Sequence, residues 1–155
     1  MQILEHDGSR LAEIAALFTA SVHQLATAHY DAAQRAAWAP RPPDPAQWQN
    51  RLRHACTLLA DEDGSLLGFL AFEARGHVDM LFTLPGADRR GVATRLYREA
   101  ERRLRAVGVA ELTTEASRVA EPFFAREGFT VCERQRVERG GQWFERALMR
   151  KRLAA

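Results

Sequence analysis

The sequence predicts an α+β domain built on a mixed sheet. Three patterns carry that expectation. Helix-period apolar residues fill the first third of the chain, short apolar strands separated by turn residues follow from Cys56, and strands alternate with helices beyond Pro85. The 155 residues suit one core, taken as a single domain over 1–155. A chain that is 46% hydrophobic and 27% charged is too apolar and too balanced to be disordered. No apolar run approaches the roughly 18–20 residues that span a bilayer, and the first residues carry no secretory pattern. The expectation is a cytoplasmic protein with no membrane partner.

Ser9 is placed to cap a helix whose apolar residues Leu11, Ile14, Phe18, Val22 and Leu25 step by three and four. A second helical stretch runs from Asp31 to Trp38, and the prolines at 40, 42, 43 and 45 break it. Asp44, Pro45 and Gln47 read as an N-cap, a first-position proline and a capping-box partner for a helix from Pro45 to about His54. Strands are expected over Cys56–Ala60, Leu66–Glu73 and His77–Leu84, joined by turns into an antiparallel meander. A helix with buried stripe Val92, Leu96, Ala100, Leu104 and Val107 follows, and Gly108 stops it. Then come a strand from Val109 to Glu115, a helix from Ser117 to Glu127, and strands Phe129–Glu138 and Gln142–Lys151 joined at Gly140-Gly141. The total is about seven strands and about four helices.

Lysine occurs once, so 21 of the 22 cationic residues are arginine, yet the net charge is only +2. That total is too small to hold a nucleic-acid duplex by charge, and no nucleic-acid partner is expected. Glu99 with Arg103 and Glu101 with Arg105 form i,i+4 pairs, which makes the basic helix face a solvated one. Cys56 and Cys132 are far apart, and the five histidines show no ligand spacing, so neither a disulfide framework nor a metal site is expected.

The chemistry concentrates between Leu81 and Thr94, where a strand, a short turn and a helix start succeed one another. Unpaired amides at a helix N-terminus form an anion site. Gly91 removes a side chain there, Ala93 keeps the next position small, and Arg89 and Arg90 add charge. Neither GxxxxGK[ST] nor GxGxxG is present.

Leu81-Phe82-Thr83-Leu84-Pro85 with Asp88-Arg89-Arg90-Gly91-Val92-Ala93 resembles the acyl-CoA-binding motif Q/R-x-x-G-x-G/A of the GNAT superfamily of N-acetyltransferases. The segment Ala120 to Phe129 resembles that family's second CoA-contacting helix, and Trp38-Ala39-Pro40, Gly68-Phe69 and Thr114 to Ser117 resemble its YafP-like bacterial subgroup. The resemblance implies a GNAT-like fold and acetyl-CoA as co-substrate. It implies that the amides of Arg89, Arg90, Gly91, Val92, Ala93 and Thr94 hold the pyrophosphate. The main chain of Leu81, Phe82 and Thr83 would pair with the pantetheine arm, and the strands ending near Leu84 and Glu115 would splay around the thioester. Asp88 departs from the motif, and Phe124 stands where many relatives place a proton-donating tyrosine. Ser117, water or no dedicated acid would then serve the departing thiolate.

Direct transfer needs a neutral amine, and for a lysine-like group at pH 7 that costs roughly 4.6 kcal/mol. Glu115 is the first candidate base, followed by Asp79 and His77, which are expected to share a face with Leu81 and Thr83. The acceptor, a small-molecule amine, is expected to lie against His29, Tyr30, Gln34, Trp38 and Trp48. The alternative is an acyl-CoA-binding module without transferase activity. The last strand, with Trp143, Phe144, Leu148 and Met149, could pair with a second subunit in a homodimer.

Overall fold

Seven strands form one sheet in the order β1-β2-β3-β4-β5-β7-β6. The computed structural model describes residues 1–87 and 90–153. The strands are β1 (Gln2–Glu5), β2 (Cys56–Glu62), β3 (Ser65–Phe72), β4 (His77–Thr83), β5 (Glu111–Ser117), β6 (Thr130–Arg139) and β7 (Gln142–Arg152). The helices number five among the described residues: α1 (Leu11–Leu25), α2 (Ala32–Trp38), α3 (Pro45–Arg51), α4 (Val92–Ala106) and α5 (Glu121–Arg126). The proline loop separates α2 from α3, as the sequence indicates.

Each face of the sheet buries its own core. Val92, Leu96, Ala100 and Leu104 of α4 and Phe124 of α5 pack with Leu58, Leu70, Val78 and Leu112 on one face. Ile14, Phe18 and Val22 of α1 and Trp48 of α3 pack with Leu59, Phe69, Ala71 and Met80 on the other. Val107 is 74% exposed, so the α4 stripe ends one turn earlier than the periodicity suggests. Ser9 does not cap α1: Arg10 holds that position without a side-chain bond, and the Ser9 hydroxyl donates to Asp7 instead. The reciprocal capping box lies at Asp31 and Gln34 of α2, while Asp44 caps α3 through the Ala46 amide alone. Ser117 ends β5, and α5 begins only at Glu121.

All neighbouring strands run antiparallel except β4 and β5. Their parallel register covers two residue pairs, His77 with Thr113 and Val78 with Thr114. Beyond them β4 stays with β3 as far as Thr83, and β5 stays with β7 as far as Ser117. The sheet therefore forks. A β-bulge sits beside the fork: Ala71 faces Met80 and Phe72 faces Val78, which leaves Asp79 as the extra residue.

The bulge overturns one expectation about faces. Val78 packs on the α4 side and Met80 on the α1 side, so period-two alternation does not run through Asp79. Leu81 packs on the α4 side, whereas His77 meets Thr113 and Glu115 on the opposite face. The last strand is also not an edge. β7 lies between β5 and β6, and Phe144 and Met149 are buried in the cores. This removes the proposed strand pairing between subunits through β7.

Gly68 of β3 lets α4 approach the sheet. A Cβ there would lie 2.8 Å from Val92 Cγ1 and 2.9 Å from the Phe82 carbonyl oxygen. Gly68→Ala is expected to destabilise the protein by about 1–3 kcal/mol through overpacking, read from urea unfolding midpoints.

Candidate active site

A cleft of about 580 Å³ occupies the fork. The α4 N-terminus stands at one end. Gly91 is its N-cap, with φ of 76° in the left-handed region and no side-chain capping bond. The first helical hydrogen bond runs from the Arg95 amide to the Gly91 carbonyl at 3.1 Å. The amides of Val92, Ala93 and Thr94 precede it and fall among the orphan donors of a helix start, with the helix dipole behind them. These groups fit a pyrophosphate. Arg90, at the same turn, ion-pairs with Glu62 at 2.7 Å. Arg89 and Asp88 lie outside the described residues.

The β4 edge supplies the next part. The Leu84 amide donates to the Leu67 carbonyl at 2.8 Å. Antiparallel alternation from that bond turns the amides and carbonyls of Leu81 and Thr83 to the other edge, into the fork, where no strand pairs with them. Phe82 uses its ring in the acceptor-side core, 4.8 Å from Phe18 and 5.9 Å from Trp38. Phe124 is buried against Phe123, Phe129 and Tyr97, giving the cleft an apolar wall without a hydroxyl. The Ser117 hydroxyl accepts from the Ala120 amide at 3.3 Å.

The titratable groups gather where β4 and β5 part. His77 is buried, with Nδ1 2.9 Å from Thr113 Oγ1 and Nε2 4.0 Å from Glu115 Oε1. The other Glu115 oxygen pairs with Arg146 Nη1 at 2.7 Å, and Arg146 Nε donates to Gln135 at 2.8 Å. Asp79 opens onto the cleft. Partial loss of water raises its carboxyl pKa above the ordinary value; Glu73 and Glu115 add to the rise, and His77 and Arg51 oppose it. Glu73, His77 and Asp79 each bring a donor atom within 4.8 Å of the other two. Two carboxylates beside an imidazole suit a cationic group, whether a metal ion or an ammonium.

The far wall is aromatic. The Tyr30 ring lies 5.4 Å from Trp38 and 5.5 Å from Phe144. Its hydroxyl accepts from the Arg118 amide at 3.0 Å and lies 3.3 Å from the Glu145 carbonyl, so it ties the α1–α2 connection to β7 and to the β5–α5 turn. Tyr30 and Trp38 thus offer apolar ring surface to the cleft. Trp48 is core, and His29 and Gln34 line a separate small hollow with Trp143, so these three leave the expected acceptor wall. Arg51, Arg139 and Arg146 line the cleft, though sequence reasoning missed them. They come from α3, β6 and β7, and no local spacing links them.

The cleft thus combines a helix start open to an anion, an unpaired strand edge and a group of acids. The acetyltransferase (GNAT) domain family matches residues 25–153, and the chain belongs to it. It is an acetyl-CoA-dependent N-acetyltransferase. Its relatives include the uncharacterized N-acetyltransferase YafP of Escherichia coli K12, 33% identical over 97% of this chain and 95% of that one. A GCN5-related N-acetyltransferase structure from Rhodopseudomonas palustris, also described as an aminotransferase of class II, is 34% identical. It covers 98% of this chain and 95% of its own, with a TM-score of 0.93. The PaiA N-acetyltransferase of Thermoplasma acidophilum, solved in complex with coenzyme A, shares the fold at TM-score 0.75 and 20% identity. That match covers 99% of this chain and all of the other.

The raised Asp79 pKa has a stability consequence. Its ionised form is disfavoured in the native state, so the penalty is absent below the unfolded value of 3.8 and complete above the higher native one. Asp79→Asn is therefore expected to unfold at a higher temperature than the parent at pH 7. The gap should close as the pH falls toward 3.8.

Proposed function

We propose that the protein transfers an acetyl group directly from acetyl-CoA to the amine of a small cytoplasmic molecule. The observation that carries this reading is the fork. It runs from the free α4 amides, along the unpaired β4 edge, to Asp79 and Glu115. The amides of Val92, Ala93 and Thr94 hold the pyrophosphate, assisted by the helix dipole. Leu81 and Thr83 bond the pantetheine amides as a strand would, and Phe124 with Phe123 excludes water from the arm.

The amine enters from the Tyr30 and Trp38 side as an ammonium, attracted by Glu115 and Asp79. Arg146 is bonded to Glu115 at 2.7 Å, and a proton placed there would weaken that ion pair. Among the described residues Asp79 has no such ion pair, and it binds a proton more readily than an ordinary aspartate. Asp79 therefore removes the ammonium proton, directly or through water, while Glu115 holds the amine. The freed nitrogen attacks the thioester carbonyl, the C–N bond forms, and the C–S bond breaks. The CoA thiolate leaves and takes up the second proton, which the nitrogen sheds on becoming an amide, relayed by water or by the Ser117 hydroxyl. Arg90 stands at the loop to add charge near the phosphates once Glu62 releases it.

Asp79→Asn should lower kcat/KM by about 10²–10⁴-fold at neutral pH, measured as thiol release. Glu115→Gln should act mainly by raising KM for the amine. Stabilisation by acetyl-CoA with no thiol release across an amine panel would favour a binding module, and no stabilisation would reject both readings.

A further inference from the structure

The charges lining the acceptor half of the cleft do not all find partners within the protein. Arg146 is committed to Glu115 and Arg75 to Glu73. Arg51 and Arg139 also line the cleft, yet among the described residues neither has a carboxylate within 4.0 Å. Resting on the acetyltransferase reading above, we infer that the acceptor amine carries an anionic oxygen group, a carboxylate or phosphonate, which the guanidinium groups of Arg51 and Arg139 receive.

Arg51 is held for this role. It is the last residue of α3, and its guanidinium lies 4.1 Å from the Trp48 ring centroid and 5.0 Å from that of Phe18. Nη2 reaches Met80 Sδ at 3.6 Å, which places the charge beside the bulge that presents Asp79. Arg139 closes β6 at the turn into β7. That turn sits hard on α2: a Cβ on Gly140 would come within 3.1 Å of Ala37 Cβ. The turn is thereby fixed against the acceptor wall. Desolvation lowers the Arg51 pKa; Asp79 opposes the shift, and the nearby charge of Arg139 adds to it, so the two guanidiniums share one field.

An anion between them would relieve that repulsion and gain forked, charge-assisted hydrogen bonds. Meanwhile Asp79 and Glu115 take the ammonium. The cleft thus matches a molecule with both charges, an amino acid or aminophosphonate, better than a polyamine or a neutral amine. Its aromatic wall suits an apolar or aromatic side chain between the two.

The experiment compares thiol release from acetyl-CoA for matched probes: phenylalanine and methionine, their amides, phenethylamine, spermidine and 2-aminoethylphosphonate. At least one anionic probe should exceed its neutral counterpart by tenfold or more in kcat/KM. In Arg51→Met and in Arg139→Gln that ratio should fall about tenfold, with KM for acetyl-CoA held. Arg139 is exposed, so its variant tests the idea even if Arg51→Met disturbs the stack on Trp48. Faster turnover of neutral amines or spermidine would overturn the inference, as would ratios unchanged in both variants. Acetyl-CoA stabilisation with no turnover of any anionic probe would overturn it as well. Loss of the transferase reading itself would show separately, as no thermal stabilisation by acetyl-CoA.

Discussion

The parallel pairing of β4 and β5 stops after two residue pairs, and the active site depends on that interruption. A continued ladder would satisfy the β4 edge and leave no cleft. Each strand is held instead by its outer neighbour, β4 by β3 and β5 by β7, so the fork stays open without loss of sheet integrity. The unpaired backbone groups are expensive to bury, and the cleft keeps them solvated until a ligand bonds them. The bulge at Asp79 belongs to the same construction, because it turns a side chain into the opening at the level where the strands part.

Many of the arginines pair with acids at the surface: Arg103 meets Glu99 at 3.1 Å and Arg105 meets Glu101 at 3.3 Å along α4, each a small contribution at a wet surface. Glu101 also receives Tyr97 and Lys151, which ties α4 to β7 across the sheet face. Other arginines line the cleft. Arg146 orients Glu115, and Glu115 in turn faces His77, itself set by Thr113. That chain crosses β7, β5 and β4 at the fork, so orientation of the acid depends on strands that no linear motif connects.

Much of the architecture was legible because it is local. The apolar periods of α1 and α4, the Asp31 and Asp44 starts, the meander and Gly91 all express short-range constraints. The helix-start amides were legible for the same reason, since a glycine before a helical stripe needs only its neighbours to explain it. The insertion of β7 between β5 and β6 is not local, and neither is the bulge, which exists only relative to the β3 register. Reading β4 as an uninterrupted alternation therefore put His77 and Leu81 on one face. Tyr30 and Trp48 looked alike as aromatic candidates, but tertiary contacts assign one ring to the cleft wall and the other to the core.

The cleft gathers several groups that the fold leaves unsatisfied. The amides at the α4 start lack a side-chain cap, Asp79 carries a raised pKa, and Arg51 feels the like charge of Arg139. Some comparable groups elsewhere are satisfied, as the Asp31–Gln34 capping box and the Arg10–Asp61 pair at 2.7 Å show. In the cleft the open helix start lies beside the close-packed Gly68, and among the described residues neither Arg51 nor Arg139 has a carboxylate within 4.0 Å. In the proposed reading a phosphate would satisfy the amides, an ammonium would restore charge beside Asp79, and an oxyanion would sit between the guanidiniums. On that reading, what the cleft leaves unsatisfied is complementary to a CoA tail, a reacting amine and an anionic acceptor tail.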